Sequence, residues 1–229
     1  MAGYLLPFLL ICRLLGGDIS TQALVVVSKE WKSTKGVMTR YEKRSGGWQR
    51  VGKSFEVLLG YGGMGCGIGL KSCDTGERPS KREGDGRSPA GVFELPFIFT
   101  TSVQKGISYP VKVMGESDIC IDDPYSENYN RIADRRDVKR DYRSFEVMKR
   151  GDGEYDMGIF VSHNPNAVPG RGSCIFIHIR SDAERATVGC TAMKKRDIEE
   201  IARWLDIRKR PRLYQAPISV IGEFFPPDG

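Results

Sequence analysis

The apolar residues of this chain come in short runs, many of them β-branched or aromatic, and glycine and proline cut them at close intervals. Leu24-Val25-Val26-Val27, Phe55-Glu56-Val57-Leu58-Leu59 and Ile175-Phe176-Ile177-His178-Ile179 are such runs, and 27 glycines and 12 prolines stand among 229 residues. Runs of this length fit strands and are too short for helices, so the pattern predicts a mostly β protein with many turns. With 40% hydrophobic residues the chain can bury one large core, and a single domain over residues 24–229 is expected.

Leu24–Val27 reads as a buried strand, and Val37–Glu42 alternates as a half-buried one. Ser45-Gly46-Gly47 reads as a turn, and Trp48–Val51 with Phe55–Leu59 completes an antiparallel meander. Tyr109–Met114 reads as a further strand, and two more, Asp156–Asn164 and Ser173–Ile179, would carry the two histidines. Ala216–Ile221 reads as a final strand, and the charge-rich stretch from Tyr129 to Arg150 as a surface loop or short helix. One helix is expected, because Ile198, Ile201, Ala202 and Leu205 recur at helical spacing. It begins near Lys195 and stops before Arg208, with Pro211 barring continuation.

Two nucleotide-binding patterns are present in letters only. Gly47-Trp48-Gln49-Arg50-Val51-Gly52-Lys53-Ser54 matches the phosphate-loop pattern, but a charged strand precedes it and a strand-like run follows, where a helix N-terminus is required. Gly60, Gly62 and Gly65 satisfy the dinucleotide pattern, but Cys66–Pro79 has no helical period. Both read as coincidence. The net charge of +6 arises from 35 basic and 29 acidic residues that interleave, so no basic tail points to nucleic acid. The modest positive field equally suits an anionic polymer or a carboxylate-rich substrate. Asp122-Asp123 has no neighbouring histidine or cysteine cluster and reads as a solvent-facing turn, so neither metal nor cofactor is expected.

At the N-terminus the apolar run from Tyr4 to Leu15 is too short to span a bilayer and is broken by Arg13. With Thr21-Gln22-Ala23 as a cleavage site before Leu24, residues 1–23 read as a signal peptide, leaving an exported protein with no membrane span. Export would remove Cys12 and leave Cys66, Cys73, Cys120, Cys174 and Cys190. An odd count leaves one thiol unpaired. Cys190 fits that position, and the other four allow up to two disulfides in any of three pairings, or none.

Cys190 follows Gly189 in a turn, twelve positions after His178, in a chain with only two histidines. A thiol in a glycine turn with an imidazole close by suits a nucleophile and its base.

With the motifs around it, this stretch resembles the L,D-transpeptidase catalytic domain, the YkuD-like family of cell-wall enzymes, in its divergent exported members. The resemblance runs from about Leu24 to Trp204. It rests on Lys81 with Glu83-Gly84-Asp85-Gly86, Ser88-Pro89-Ala90-Gly91-Val92-Phe93, Asp122-Asp123-Pro124, Tyr129-Asn130 and His163-Asn164, and then on Gly172–His178 and Thr187–Met193. It implies a β-sandwich or barrel with one helix after the catalytic cysteine. It also implies a cysteine acyltransferase acting on peptidoglycan stem peptides as transpeptidase or carboxypeptidase, located in the periplasm or cell wall. Cys190 would be the nucleophile and His178 its base, and Gly189 would shape an oxyanion pocket. Ser173 and Thr187 would orient the imidazole or the substrate, and His163 would approach from the neighbouring strand. Where relatives commonly carry histidine in the turn this chain has Val188, and the arginine often found after the cysteine is absent. Two other readings stand beside this one: a thiol hydrolase of another amide, and a noncatalytic wall-binding module.

Overall fold

A computed structural model describes residues 20–181 and 183–225. The expected signal segment lies almost entirely outside these residues. Fifteen strands occur, namely β1 (Gln22–Ser28), β2 (Lys35–Arg44), β3 (Gly47–Leu58), β4 (Met64–Cys66), β5 (Lys71–Ser72), β6 (Ser88–Glu94), β7 (Ile98–Thr100) and β8 (Val111–Val113), then β9 (Asp118–Ile121), β10 (Arg131–Asp134), β11 (Phe145–Val147), β12 (Met157–Phe160), β13 (Phe176–Ile179), β14 (Thr191–Met193) and β15 (Arg212–Pro217). Two helices complete the described chain, α1 (Lys195–Trp204) and α2 (Ile218–Ile221). Strands take 40% and helices 8%, the mostly β sandwich class expected, with one longer helix after Cys190.

The main sheet runs β4-β6-β15-β1-β2-β3-β14-β13-β12-β7-β8, with β5 against β6, and β10-β9-β11 form a separate small sheet. β1 is unbroken in its apolar run because it lies inside the sheet, parallel to β15 and antiparallel to β2, so both its faces are covered. It begins at Gln22, two residues before Leu24, where the mature chain was expected to start. Gln22 is buried, donates to Trp204 O and accepts from the Asp206 N–H.

β2 and β3 form the long hairpin of the expected meander, joined by Ser45-Gly46. The phosphate-loop letters fall within β3, where the register shifts between Met38 and Arg40 and Gly52 takes φ +65°. A Cβ at Gly52 would stand 2.6 Å from Arg40 Nη2, so glycine is required by the bulge and the buried guanidinium. Lys53 faces Asp197 and Glu200 on α1, at 3.6 and 3.8 Å. The match is therefore structural in origin.

α1 lays Ile198, Ile201 and Ala202 against β12 and β13, and fully buried side chains of this kind contribute about 1.5–3 kcal/mol each for the larger ones. Three expectations are corrected. The final strand ends at Pro217, and Ile218–Ile221 turn helical as α2. The charge-rich stretch from Tyr129 to Arg150 contains β10 and β11. His163 lies beyond the end of β12 and not on it. The small sheet has its own core, because β9 alternates: Ile119 and Ile121 pack with Tyr142, while Cys120 faces the main body and bonds to Cys174.

Candidate active site

β13 and β14 lie side by side and parallel, with His178 opposite Ala192. Cys190 lies in the turn that leads into β14, two residues before Ala192. Cys190 and His178 both line one cavity of about 480 Å³, together with Tyr155, Arg150, Arg185 and Val188. Cys190 and Val188 also line a second cavity of about 160 Å³.

Local chemistry fixes each group. His178 Nδ1 lies 2.8 Å from Ile179 O, and a carbonyl only accepts, so Nδ1 carries the proton and Nε2 keeps a lone pair. The ring packs edge-on to Tyr155 at 5.2 Å. The Cys190 thiol donates to Cys174 O at 3.5 Å and accepts from the Phe176 N–H at 3.3 Å. Burial pushes this thiol far above its ordinary value, the Glu146 carboxylate adds to the effect, and the Phe176 N–H with Lys81 and Arg150 opposes it. Burial holds His178 down at about 4. At neutral pH the thiol and the imidazole are both uncharged.

The turn is built by hydroxyls. Thr187 Oγ1 donates to Cys190 O at 2.6 Å and accepts from the Gly189 N–H at 3.2 Å, and Ser88 Oγ donates to the same carbonyl at 3.0 Å. Gly189 holds φ +149°, and a Cβ there would stand 3.2 Å from Arg87 O. Ser173 donates to Glu83, which also receives the Tyr129 hydroxyl. Lys81 is buried, with its ammonium given to Arg82 O and Asp85.

His163 is placed elsewhere. Its Nδ1 accepts from the Ile68 N–H, its Nε2 faces Arg171 O at 2.9 Å, and its ring meets Phe93 edge-on, so it braces a loop and lines neither chamber. The Asp122-Asp123 turn is not solvent-facing. Asp123 is buried and accepts from the Tyr125 and Arg143 N–H groups, and Asp122 Oδ1 is sealed from solvent with no hydrogen-bond partner among the described residues. Glu146 and Tyr155 carried no signal in the sequence, being single residues in unpatterned stretches, and Ser88 stood in a matching motif with no role of its own assigned. Cys66–Cys73 and Cys120–Cys174 are the disulfides, which selects one of the three open pairings, and Cys190 is the free thiol among the described residues.

Over residues 34–219 the chain matches the family model of the YkuD L,D-transpeptidase catalytic domain. It belongs to that family. Comparison with curated proteins and with solved structures gave no match. Among the described residues, no helix is long and apolar enough to cross a membrane, and no group of histidine, cysteine or acidic residues is arranged to hold a metal ion.

For this family member the buried imidazoles set an acid limit. His163, like His178, is held at about 4 by burial, whereas an unfolded imidazole titrates near 6.5. Stability that is complete above the unfolded value is therefore lost as pH falls through the folded one. Glu146 acts oppositely: burial raises it to about 7, so the folded chain holds its proton where the unfolded chain has lost it. From these three groups, unfolding takes up two protons and releases one between about pH 4.5 and 6.5. The expected loss is about 1.4 kcal/mol per pH unit in that window. Urea titrations at several pH values check this. His163→Gln should flatten the slope, and an unchanged slope in that variant would contradict the assignment.

Proposed function

We propose that the chain transfers acyl groups of peptidoglycan stem peptides through a thioester on Cys190. The reading is carried by one observation: the free thiol and a histidine with a fixed Nε2 lone pair line one cavity. Nε2 of His178 takes the thiol proton while sulfur attacks the peptide carbonyl next to the third stem residue. Gly189 sets the backbone conformation that presents the Cys190 N–H to the developing oxyanion, its own N–H being held by Thr187. The imidazolium then gives its proton to the leaving amine, and the thioester remains. An amine gives a cross-link, and water gives carboxypeptidase trimming. Arg150 and Arg185 on the wall of the larger chamber suit the carboxylates of a stem peptide. Export to the periplasm or wall, with residues 1–23 as signal, belongs to the same proposal.

Incubation with muropeptides followed by mass spectrometry tests it. The wild type should yield cross-linked or trimmed stems and Cys190→Ala neither; products equal in both proteins would refute it. Burial of the thiol favours a second reading, a wall-binding module without turnover. A covalent carbapenem adduct at Cys190, seen by intact mass, counts against that reading, and muropeptide binding with no adduct and no products counts for it.

A further inference from the structure

We infer that the outer face of the small sheet β10-β9-β11 is a docking surface for a flexible anionic polymer of phosphodiester groups, held by Arg131, Arg135, Lys139, Arg140 and Arg143. This goes beyond acyl transfer and stands without it, because none of these residues lines either cavity beside Cys190.

Positive charge is concentrated here. From Tyr129 to Arg150 there are eight basic residues and four acidic ones, so this stretch carries +4 of the net charge of +6. Elsewhere acids answer many of the cations, as Glu200 does Arg40, Glu223 does Arg78, Glu184 does Arg180 and Glu42 does Lys209. In this stretch the acids are mostly withdrawn. Asp134 accepts from Arg136 and Ser117, Asp141 accepts from the Ser126 hydroxyl and the Glu127 N–H, and Glu146 lines the smaller cavity, which leaves Asp137 as the exposed one. Arg131, Arg135, Lys139, Arg140 and Arg143 are all exposed and form no ion pair among the described residues.

Strand register decides which way the charges face. β10 and β11 flank β9, with Arg131 and Phe145 both opposite Ile121, and Ile132 and Glu146 both opposite Cys120. Directly opposed residues share a face. Cys120 is bonded to Cys174 on the main body, so Ile132 and Glu146 face inward and Ile121, Arg131 and Phe145 outward. Two strand spacings, about 10 Å, separate Arg131 from Phe145. The segment after β10 then covers this outer face, packing Tyr142 and Val138 with Ile119 and Ile121, and Arg135 lies over the Phe145 ring at 5.2 Å. Lys139, Arg140 and Arg143 are carried on the same covering segment, so the layer that closes the small core ends in cations.

Side-chain chemistry selects the occupant. Four of the five are arginines, whose planar fork meets two oxygens of one phosphate at once. Charges spread over a strand and a covering segment, without a cavity, suit an extended chain better than a compact anion. Phe145 is 37% exposed but capped by Arg135, so this face offers lipid no free ring to insert and bases no open platform to stack on. Tyr125, the other exposed ring of this unit, belongs to the turn beyond β9.

Calorimetric titration of the whole protein with poly(glycerol phosphate) at several salt concentrations tests the surface. Each phosphate contact on a flexible strand contributes about −0.7 to the slope of log K against log salt, so five predict a slope of about −3. Replacing Arg131, Arg135 and Arg140 together with glutamine should weaken binding by about 10-fold or more and make the slope shallower by about 2. Arg140→Gln alone should make it shallower by about 0.7, which keeps the test open if urea titration shows the triple variant unfolded. Glutamine at Lys43, Arg44 and Arg50, exposed on the β2–β3 hairpin, removes the same charge and should change affinity by less than about 2-fold. Equal losses in the two triple variants, or a slope near zero in the wild type, overturn the surface. Equal binding of polyglutamate overturns its phosphate chemistry, and tighter binding of single-stranded DNA or of phosphatidylglycerol vesicles overturns the polymer as occupant.

Discussion

Replacing His178 with asparagine is expected to slow acylation of Cys190 by about 10²–10⁴-fold, the usual contribution of a positioned general base. The asparagine Nδ2 falls near the place of the ring Nδ1 and can still donate to Ile179 O, while the Nε2 lone pair is lost. Without that base the thiol must ionise by itself, and its burial beside Glu146 holds its ionisation well above the ordinary cysteine range. The variant should therefore gain rate steadily with rising pH and reach no plateau near neutrality. The wild type should stay level once His178 is neutral, above about pH 4. Time-resolved intact mass with a stem peptide or a carbapenem reads both curves. Superimposable curves for the two proteins would remove His178 from the mechanism.

The second large effect concerns the Cys120–Cys174 disulfide. It closes a loop with a sequence separation of 54, for which chain entropy predicts about 4 kcal/mol of stabilisation. It also ties β9, which Asp122 directly follows, to the residue whose carbonyl receives the Cys190 thiol. Cys120→Ser should lower the unfolding free energy by that amount, read from the urea midpoint and slope, and slow acylation of Cys190, because the carbonyl that receives its thiol belongs to Cys174, which loses its tie to the small sheet. Cys66–Cys73 spans a separation of only 7 and lines neither cavity, so its removal should cost less and leave acylation alone. Equal effects of the two removals on acylation would contradict this division.

These expectations show where the sequence was legible. β1, the β2–β3 hairpin and α1 could be read because each has enough residues to express a period, and because burial of one or both faces forces that period on the sequence. β10 and β11 are only four and three residues long and mostly half-buried with no buried face, so they are too short to show an alternation. Cys190 and His178 were readable as a pair because β13 and the turn into the adjacent β14 carry them in nearly continuous sequence. The acidic lining of the smaller cavity was not, since Glu83, Asp122 and Glu146 come from three distant segments and meet only through tertiary packing. Asp122 in particular looked like a turn residue, which it is, but the turn is pressed against the site. His163 lay beside a strand and near a matching motif, yet both ring nitrogens serve the backbone.

The place of β1 between β2 and β15 bears on how the molecule comes into being. Its pairing of Ala23 with Arg212 joins residues 189 positions apart, so the centre of the main sheet cannot close until β15 has been synthesised. Contacts of such long range make folding slow. A nascent chain therefore keeps the edge of β1 that β15 will cover open until Pro217 has emerged, and only then is the main sheet continuous from β4 to β8.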